Sequence, residues 1–122
     1  MAKSYVSFTT PKDIAEKVYN GIESVVRSGS IRKGTNEVTK AIERGIAKLV
    51  IIAEDVEPEE IVMHLPILSK EKGVPFVFVP TRQELGAACG IPVSTAAVVI
   101  TDTGKAGKQV DELVSATREL QK

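Results

Sequence analysis

The 122 residues include one cysteine, one histidine, no tryptophan and only 4% aromatic residues, and the formal net charge is zero. A single cysteine excludes an internal disulfide and a cysteine-based zinc site, and a single histidine excludes a multi-histidine metal site. No metal or other cofactor is expected, and a reducing compartment is the default. No apolar run approaches the roughly 18 residues that cross a bilayer. The start Met1-Ala2-Lys3-Ser4-Tyr5 has no apolar leader segment, so the expected address is the cytoplasm. Zero net charge, taken alone, speaks against a nucleic-acid partner, because phosphate binding usually shows as a basic excess. Also missing are Gly-x-Gly-x-x-Gly, Gly-x-x-x-x-Gly-Lys-Ser/Thr and Gly-x-Ser-x-Gly, the loops of dinucleotide, phosphate and acyl-transfer sites.

What is present is 43% hydrophobic and 26% charged residues, dispersed without repeat, linker or low-complexity segment. That composition predicts one small globular domain over residues 1–122. Thr10, Pro11 and Asp13 look like an N-cap, a first helical residue and a carboxylate reaching back. The helix they open carries Ile14, Val18, Ile22, Val25 and Val26 and stops near Ser28-Gly29. Ser30–Lys33 is strand-sized, and a second helix is expected from about Asn36 to Arg44, closed by Gly45. Leu49-Val50-Ile51-Ile52 within 48–53 is apolar throughout, as in a strand buried on both faces.

Pro58 is expected to begin a third helical stretch with Ile61, Val62 and Leu65, broken or kinked by Pro66 before Leu68 and ended by Gly73. Residues 74–79 make the next strand. Thr81-x-x-Glu84 has capping-box spacing and opens a short helix through Leu85 and Ala88 that ends at Gly90. Residues 96–101 give a further buried strand, 102–105 a turn, and Val110, Leu113, Val114, Thr117 and Leu120 a closing amphipathic helix. Strands that alternate with helices and are apolar throughout predict a three-layer α/β/α sandwich around a four-stranded, mainly buried sheet.

Candidates for catalysis are few. His64, between Met63 and Leu65, has no acid–base partner specified nearby and is expected to be a packed or surface residue. Cys89 follows Ala87-Ala88 at a helix end and suits a small buried thiol. An enzyme is not expected. The charge distribution says more than its sum. Six cations (Arg27, Arg32, Lys33, Lys40, Arg44, Lys48) stand against Glu37 and Glu43 in residues 27–48, whereas residues 51–62 carry five acids and no cation. A solvated face gives such clusters as readily as a binding surface.

The second helix adds a pattern. At 100° per residue, Val38, Ala41, Ile42 and Gly45 share one side, and Asn36, Glu37, Lys40 and Arg44 the other. The polar side begins directly after Lys33-Gly34-Thr35, where unpaired N–H groups and the helix dipole favour phosphate. Asn, Glu and Lys together at a helix tip offer both donors and acceptors to base edges.

These residues carry a resemblance. Gly34-Thr-Asn-Glu-Val-Thr-Lys40, the run Ala41 to Pro58, His64-Leu-Pro66, Val74-Pro75 and Leu85-Gly-Ala-Ala-Cys-Gly90 together resemble the kink-turn RNA-binding family, and within it the archaeal L-seven-Ae proteins of the large ribosomal subunit. The resemblance runs from about Tyr5 to the C-terminus. It implies an α/β/α sandwich, without catalysis, that recognises an RNA helix bent at a bulge beside tandem sheared G·A pairs.

By the same resemblance Asn36, Glu37 and Lys40 reach the guanines, while Arg32, Lys33, Gly34 and Thr35 approach the phosphates. Glu37 suits guanine because a carboxylate accepts from N1–H and N2–H₂. Glu57 and Arg82 match positions that hold the flipped bulge nucleotide, and Ile61 matches an apolar wall beside it. Ile91-Pro92-Val93 matches the loop covering the bulge, with Pro92 departing from the Leu-Glu-Val-like form of archaeal relatives. The implied RNAs are ribosomal RNA, box C/D and H/ACA guide RNAs and RNase P RNA. The implied protein partners are the Nop scaffold protein and, through it, fibrillarin, with Glu59-Glu60 as a candidate protein-facing surface.

Residue order adds a constraint on topology. Glu57 and Arg82 follow strands, where open α/β sheets bind ligands, whereas residues 91–93 precede one. All three reach the same edge only if that last strand runs antiparallel, so a mixed sheet is expected. Two other classes fit parts of the pattern: a small nucleotide-binding α/β enzyme, and a protein-interaction module that needs no RNA. The first lacks a phosphate loop after a full strand, and the second leaves the Asn-Glu-Lys set unused.

Overall fold

The computed structural model describes residues 4–121; Met1-Ala2-Lys3 and Lys122, which the expectations about the N-terminus and the domain limits include, lie outside the described residues. The chain order is α1 (Lys12–Ser28), β1 (Ser30–Lys33), α2 (Thr35–Glu43), β2 (Leu49–Ala53), a 3-10 turn (Glu59–Ile61), α3 (His64–Glu71), β3 (Phe76–Val79), α4 (Arg82–Ala88), β4 (Ala97–Asp102), a second 3-10 turn (Gly104–Ala106) and α5 (Gly107–Gln121).

The sheet order is β1-β4-β2-β3. β2 and β3 run parallel, with Ala53 opposite Val79. β4 runs antiparallel to both β2 and β1, with Ala97 opposite Ile52 and Val98 opposite Lys33. The sheet is therefore mixed, and the antiparallel β4 brings its N-terminal end to the edge where β1, β2 and β3 finish.

Every residue of β2 has no exposed surface. Successive strand side chains point to opposite faces, so five buried in a row require helices on both sides of the sheet. α1 packs on α4 and α5, and α2 on α3. Val18, Ile22 and Val25 bury the apolar stripe of α1, and Val38, Ala41 and Ile42 that of α2. Val26, expected on the apolar stripe of α1, is exposed. Of the five aromatic residues, four gather at one place: Phe8 lies 5.0 Å from Phe78 between ring centres, Phe76 5.8 Å and Tyr5 6.2 Å from the same ring. Full burial of Phe76 and Phe78 contributes about 1.5–3 kcal/mol each, and Phe8 packs partly buried against them, so a chain poor in aromatics concentrates them at β3.

Three local expectations are corrected. Pro11, not Thr10, is the cap residue of α1, and its carbonyl accepts from Ala15 N–H at 3.0 Å. The Thr10 hydroxyl is buried without a partner. Pro58 opens a 3-10 turn rather than a helix, and the chain leaves helical geometry at Val62 (φ −123°) before α3 begins. Pro66 then falls at the third position of α3 and makes no break. A helix's first N–H groups have no acceptor within it, so a missing one is tolerated there.

The Thr81 cap is present. Its Oγ1 accepts from Glu84 N–H at 3.1 Å and donates to Glu84 Oε1 at 2.9 Å. The Thr81 N–H is turned instead toward the Tyr19 hydroxyl at 3.5 Å. No helix among the described residues is long and apolar enough to cross a membrane. Among those residues no group of His, Cys, Asp and Glu is placed to hold a metal ion.

Candidate functional site

Four chain segments meet at the edge where β1, β2 and β3 end and β4 begins. Backbone hydrogen bonds hold them in place. Gly34 N–H donates to Ala97 C=O at 2.9 Å, Ala53 N–H to Ala96 C=O at 3.0 Å, and Glu54 N–H to Val79 C=O at 2.8 Å. The α2 tip, the loop after β2, the start of α4 and the loop before β4 are thereby set side by side.

At the α2 tip, Gly34 is the cap residue with φ +95° and ψ 150°, and no side chain caps the helix. That backbone region is essentially closed to other residues, although a Cβ there would meet nothing within 4 Å. Glycine is thus set by conformation, and the open space lies outward. Asn36 and Lys40 are exposed. Glu37 lies between two cations, with Arg32 Nη1 3.3 Å from Oε1 and Lys40 Nζ 3.4 Å from Oε2. The Lys40 hydrogen bond and charge, then Arg32, hold the Glu37 carboxyl below its ordinary value. It is an ionised acceptor with 44% of its side chain exposed.

A cleft of about 570 Å³ opens beside the start of α4, between Arg82, Gln83 and Ala87 on one side and residues 91–94 on the other, with Asp55 at its end. Gly86 explains how the loop lies so close to the helix, since a Cβ there would collide with the Val93 carbonyl oxygen. Ile91 N–H donates to Gly86 C=O at 3.2 Å and Thr95 N–H to Arg82 C=O at 3.1 Å. Pro92 has no N–H to place, and the loop it lies in is pinned on either side of it. Val93 is 65% exposed.

The acidic loop after β2 is built from outside itself. The Tyr5 hydroxyl donates to Ala53 C=O at 2.6 Å and accepts from Val56 N–H at 3.1 Å. Asp55 Oδ1 accepts from Arg82 N–H at 2.8 Å. The Glu57–Pro58 peptide is cis. Burial pushes the Glu54 carboxyl above its ordinary value, and neighbouring Asp55 adds to the shift. Glu59 Oε1 accepts from the Ser4 N–H and hydroxyl at 2.6 and 2.7 Å, so of the pair Glu59-Glu60 only Glu60 is fully exposed.

The predicted residues therefore divide into three groups. Arg32, Glu37 and Lys40 form one ion-paired set beside Lys33, Gly34, Thr35 and Asn36. Arg82, Ile91, Pro92 and Val93 share the cleft. Glu57 and Ile61 do not line that cleft; both are exposed on the segment leading to α3, Ile61 by 42%. Sequence reasoning missed Tyr5, Asp55, Gln83 and Gly86. Tyr5 and Asp55 act across 48 and 27 residues, a separation that leaves no local pattern.

Of the two residues weighed for catalysis, Cys89 is a buried free thiol and His64 has a side-chain partner. Burial pushes the Cys89 thiol up to about 11, against a smaller downward pull from Lys33. His64 Nε2 lies 2.9 Å from Thr39 Oγ1.

Comparison with known proteins gives two results. The model of the Ribosomal protein L7Ae/L30e/S12e/Gadd45 family matches residues 16–110. The solved structure of the Giardia lamblia 15.5kD RNA binding protein is similar at 33% identity and a TM-score of 0.88, over 97% of this chain and 98% of that one.

Proposed function

The chain belongs to the Ribosomal protein L7Ae/L30e/S12e/Gadd45 family, and from that premise we propose that it binds kink-turn RNA and stabilises the bend on which ribonucleoproteins assemble. It is a binding protein and not an enzyme. One observation carries the reading: an ionised acceptor, Glu37, is held between Arg32 and Lys40 beside exposed Asn36, on the same sheet edge as the Arg82 cleft.

The proposed contacts are those that the family resemblance implies. The α2 tip reads the sheared G·A pairs, with Asn36, Glu37 and Lys40 on the base edges and Arg32, Lys33, Gly34 and Thr35 toward phosphate. Glu57, Ile61, Arg82 and residues 91–93 hold and cover the flipped bulge nucleotide. Unstacked bases are the expected target, because the deep, narrow A-form major groove excludes side chains. Residues 1–122 act as a single RNA-binding domain in the cytoplasm. The targets are ribosomal RNA of an archaeal large subunit, box C/D and H/ACA guide RNAs and RNase P RNA. On the box C/D RNA complex the Nop scaffold protein, and through it fibrillarin, dock with Glu60 among the contacts.

Titration of the pure protein with a kink-turn RNA, and with the same RNA carrying Watson–Crick pairs in place of the G·A pairs, tests the reading. Tight binding to the first and at least roughly thirty-fold weaker binding to the second is expected, since two base pairs are lost at about 1–3 kcal/mol each. Equal binding to both removes the proposal.

A further inference from the structure

The Thr39 hydroxyl has a single hydrogen, and two neighbours lie within its reach. It is 2.8 Å from Thr35 C=O, one turn back along α2, and 2.9 Å from His64 Nε2 at the first residue of α3. A carbonyl oxygen can only accept, so the hydroxyl hydrogen goes to Thr35. The contact with His64 is then a hydrogen bond only if Nε2 carries the hydrogen and donates. With the hydroxyl hydrogen on Thr35, the chain of bonds runs from His64 to Thr39 to Thr35. It ends on the residue next to Gly34, at the start of the tip that bears Asn36 and Glu37. It begins three residues beyond Ile61, in the helix that follows the segment of Glu57 and Ile61.

We infer that His64 is a positioning residue: its Nε2–H, acting through Thr39, sets the α2 tip against the segment of Glu57 and Ile61, so that one RNA meets both. The inference rests on the kink-turn reading above. A backbone carbonyl in the first turn of α2 is already shared with the Thr39 hydroxyl, so a second donor polarises that hydroxyl and holds its rotamer. Packing alone does not supply this, since His64 is exposed and Thr39 half-buried. The bridge joins two helices that pack on one another, and it ties a named side chain of one to a named side chain of the other.

Glutamine is the conservative replacement, because its Nε2 carries hydrogens at a similar reach, whereas leucine fills space without a donor. Thr39→Val keeps the shape and removes the hydroxyl. The measurement is the affinity of wild type, His64→Gln, His64→Leu, Thr39→Val and the double variant His64→Leu/Thr39→Val for a kink-turn RNA, with thermal melting of each. Expected are about five-fold weaker binding by His64→Leu and by Thr39→Val, and His64→Gln within about two-fold of wild type. The double variant should bind no more weakly than the singles, because one interaction is lost in all three. Melting temperatures should stay together.

Unchanged binding by His64→Leu overturns the inference. So does His64→Gln binding as weakly as His64→Leu, additive losses in the double variant, or losses that follow melting temperature. If wild type fails to distinguish the kink-turn from its Watson–Crick version, the functional reading itself falls and takes this inference with it. The wild-type arm separates that failure from the others.

Discussion

Arg82 donates its backbone N–H to Asp55 Oδ1 at 2.8 Å, so the helix after β3 begins hydrogen-bonded to the loop after β2. α4 therefore has two acceptors at its N-terminus, the Thr81 hydroxyl from its own cap and the Asp55 carboxylate from a neighbouring loop. The partial positive charge at a helix start favours a carboxylate there. One contact thus serves both the start of α4 and the lining of the cleft.

Asp55→Ala should cost about 1 kcal/mol of stability, the range of a lost helix cap, in urea denaturation followed by far-UV circular dichroism. Asp55→Asn retains an acceptor and should recover about half of it. Equal stability of wild type and Asp55→Ala would show that the contact is not formed in solution.

Tyr5→Phe should be more damaging. Ala53 C=O and Val56 N–H lie at a buried position, and removing the hydroxyl leaves the amide without its acceptor, at a cost of about 1–3 kcal/mol. Tyr5 itself is 5% exposed, so water does not readily replace the oxygen. Faster amide hydrogen exchange at Val56, with α5 unaffected, is the expected signature. Uniform exchange across the chain in Tyr5→Phe and wild type alike would rule the bridge out.

These two contacts mark where the sequence was readable and where it was not. The strand at Leu49–Ala53, the short strand Ser30–Lys33 and the Thr81-x-x-Glu84 cap were legible because each is a local pattern. The mixed sheet was legible by a different route, since the order of the candidate residues required an antiparallel β4. Pro66 was misread because a proline kinks a helix only in its interior, and where α3 starts is decided by Val62 leaving helical geometry. Within the site, the Glu37–Lys40 pair follows from helix spacing, whereas Arg32 joins it across the turn at Gly34. Tyr5, Asp55 and Gly86 act on backbone groups distant in the chain, and no residue type at those positions announces the partner.

Cys89 should be unreactive in the folded protein. The residue is 5% exposed and its thiol is raised from 9.0 to about 11, so at pH 8 only about a thousandth is thiolate. Iodoacetamide should label it only once urea unfolds the chain. The shift has a sign for stability too: a raised value favours the neutral form, so its contribution is present below about pH 9 and is lost as the pH rises toward 11. Rapid labelling of the native protein would contradict the burial.

Glu37 and Lys33 should respond to substitution in opposite ways. Glu37→Ala removes an acceptor for guanine, and the affinity for kink-turn RNA should fall by roughly ten-fold or more, with the preference for G·A pairs reduced. The salt dependence should not weaken, because Arg32 and Lys40 lose their partner and remain free to meet phosphate. Lys33→Ala should instead lower the salt slope by about one and affect different kink-turns equally. The pH profile follows from the depressed carboxyl. An acid held below its ordinary value by Lys40 and Arg32 stays ionised to a lower pH than an unpaired glutamate. The loss of affinity that follows its protonation should therefore begin at a lower pH than the ordinary carboxylate value. An affinity that already falls as the pH passes through the ordinary carboxylate value would mean that the two cations do not hold Glu37 in solution, and its assignment as the guanine acceptor would lose its support.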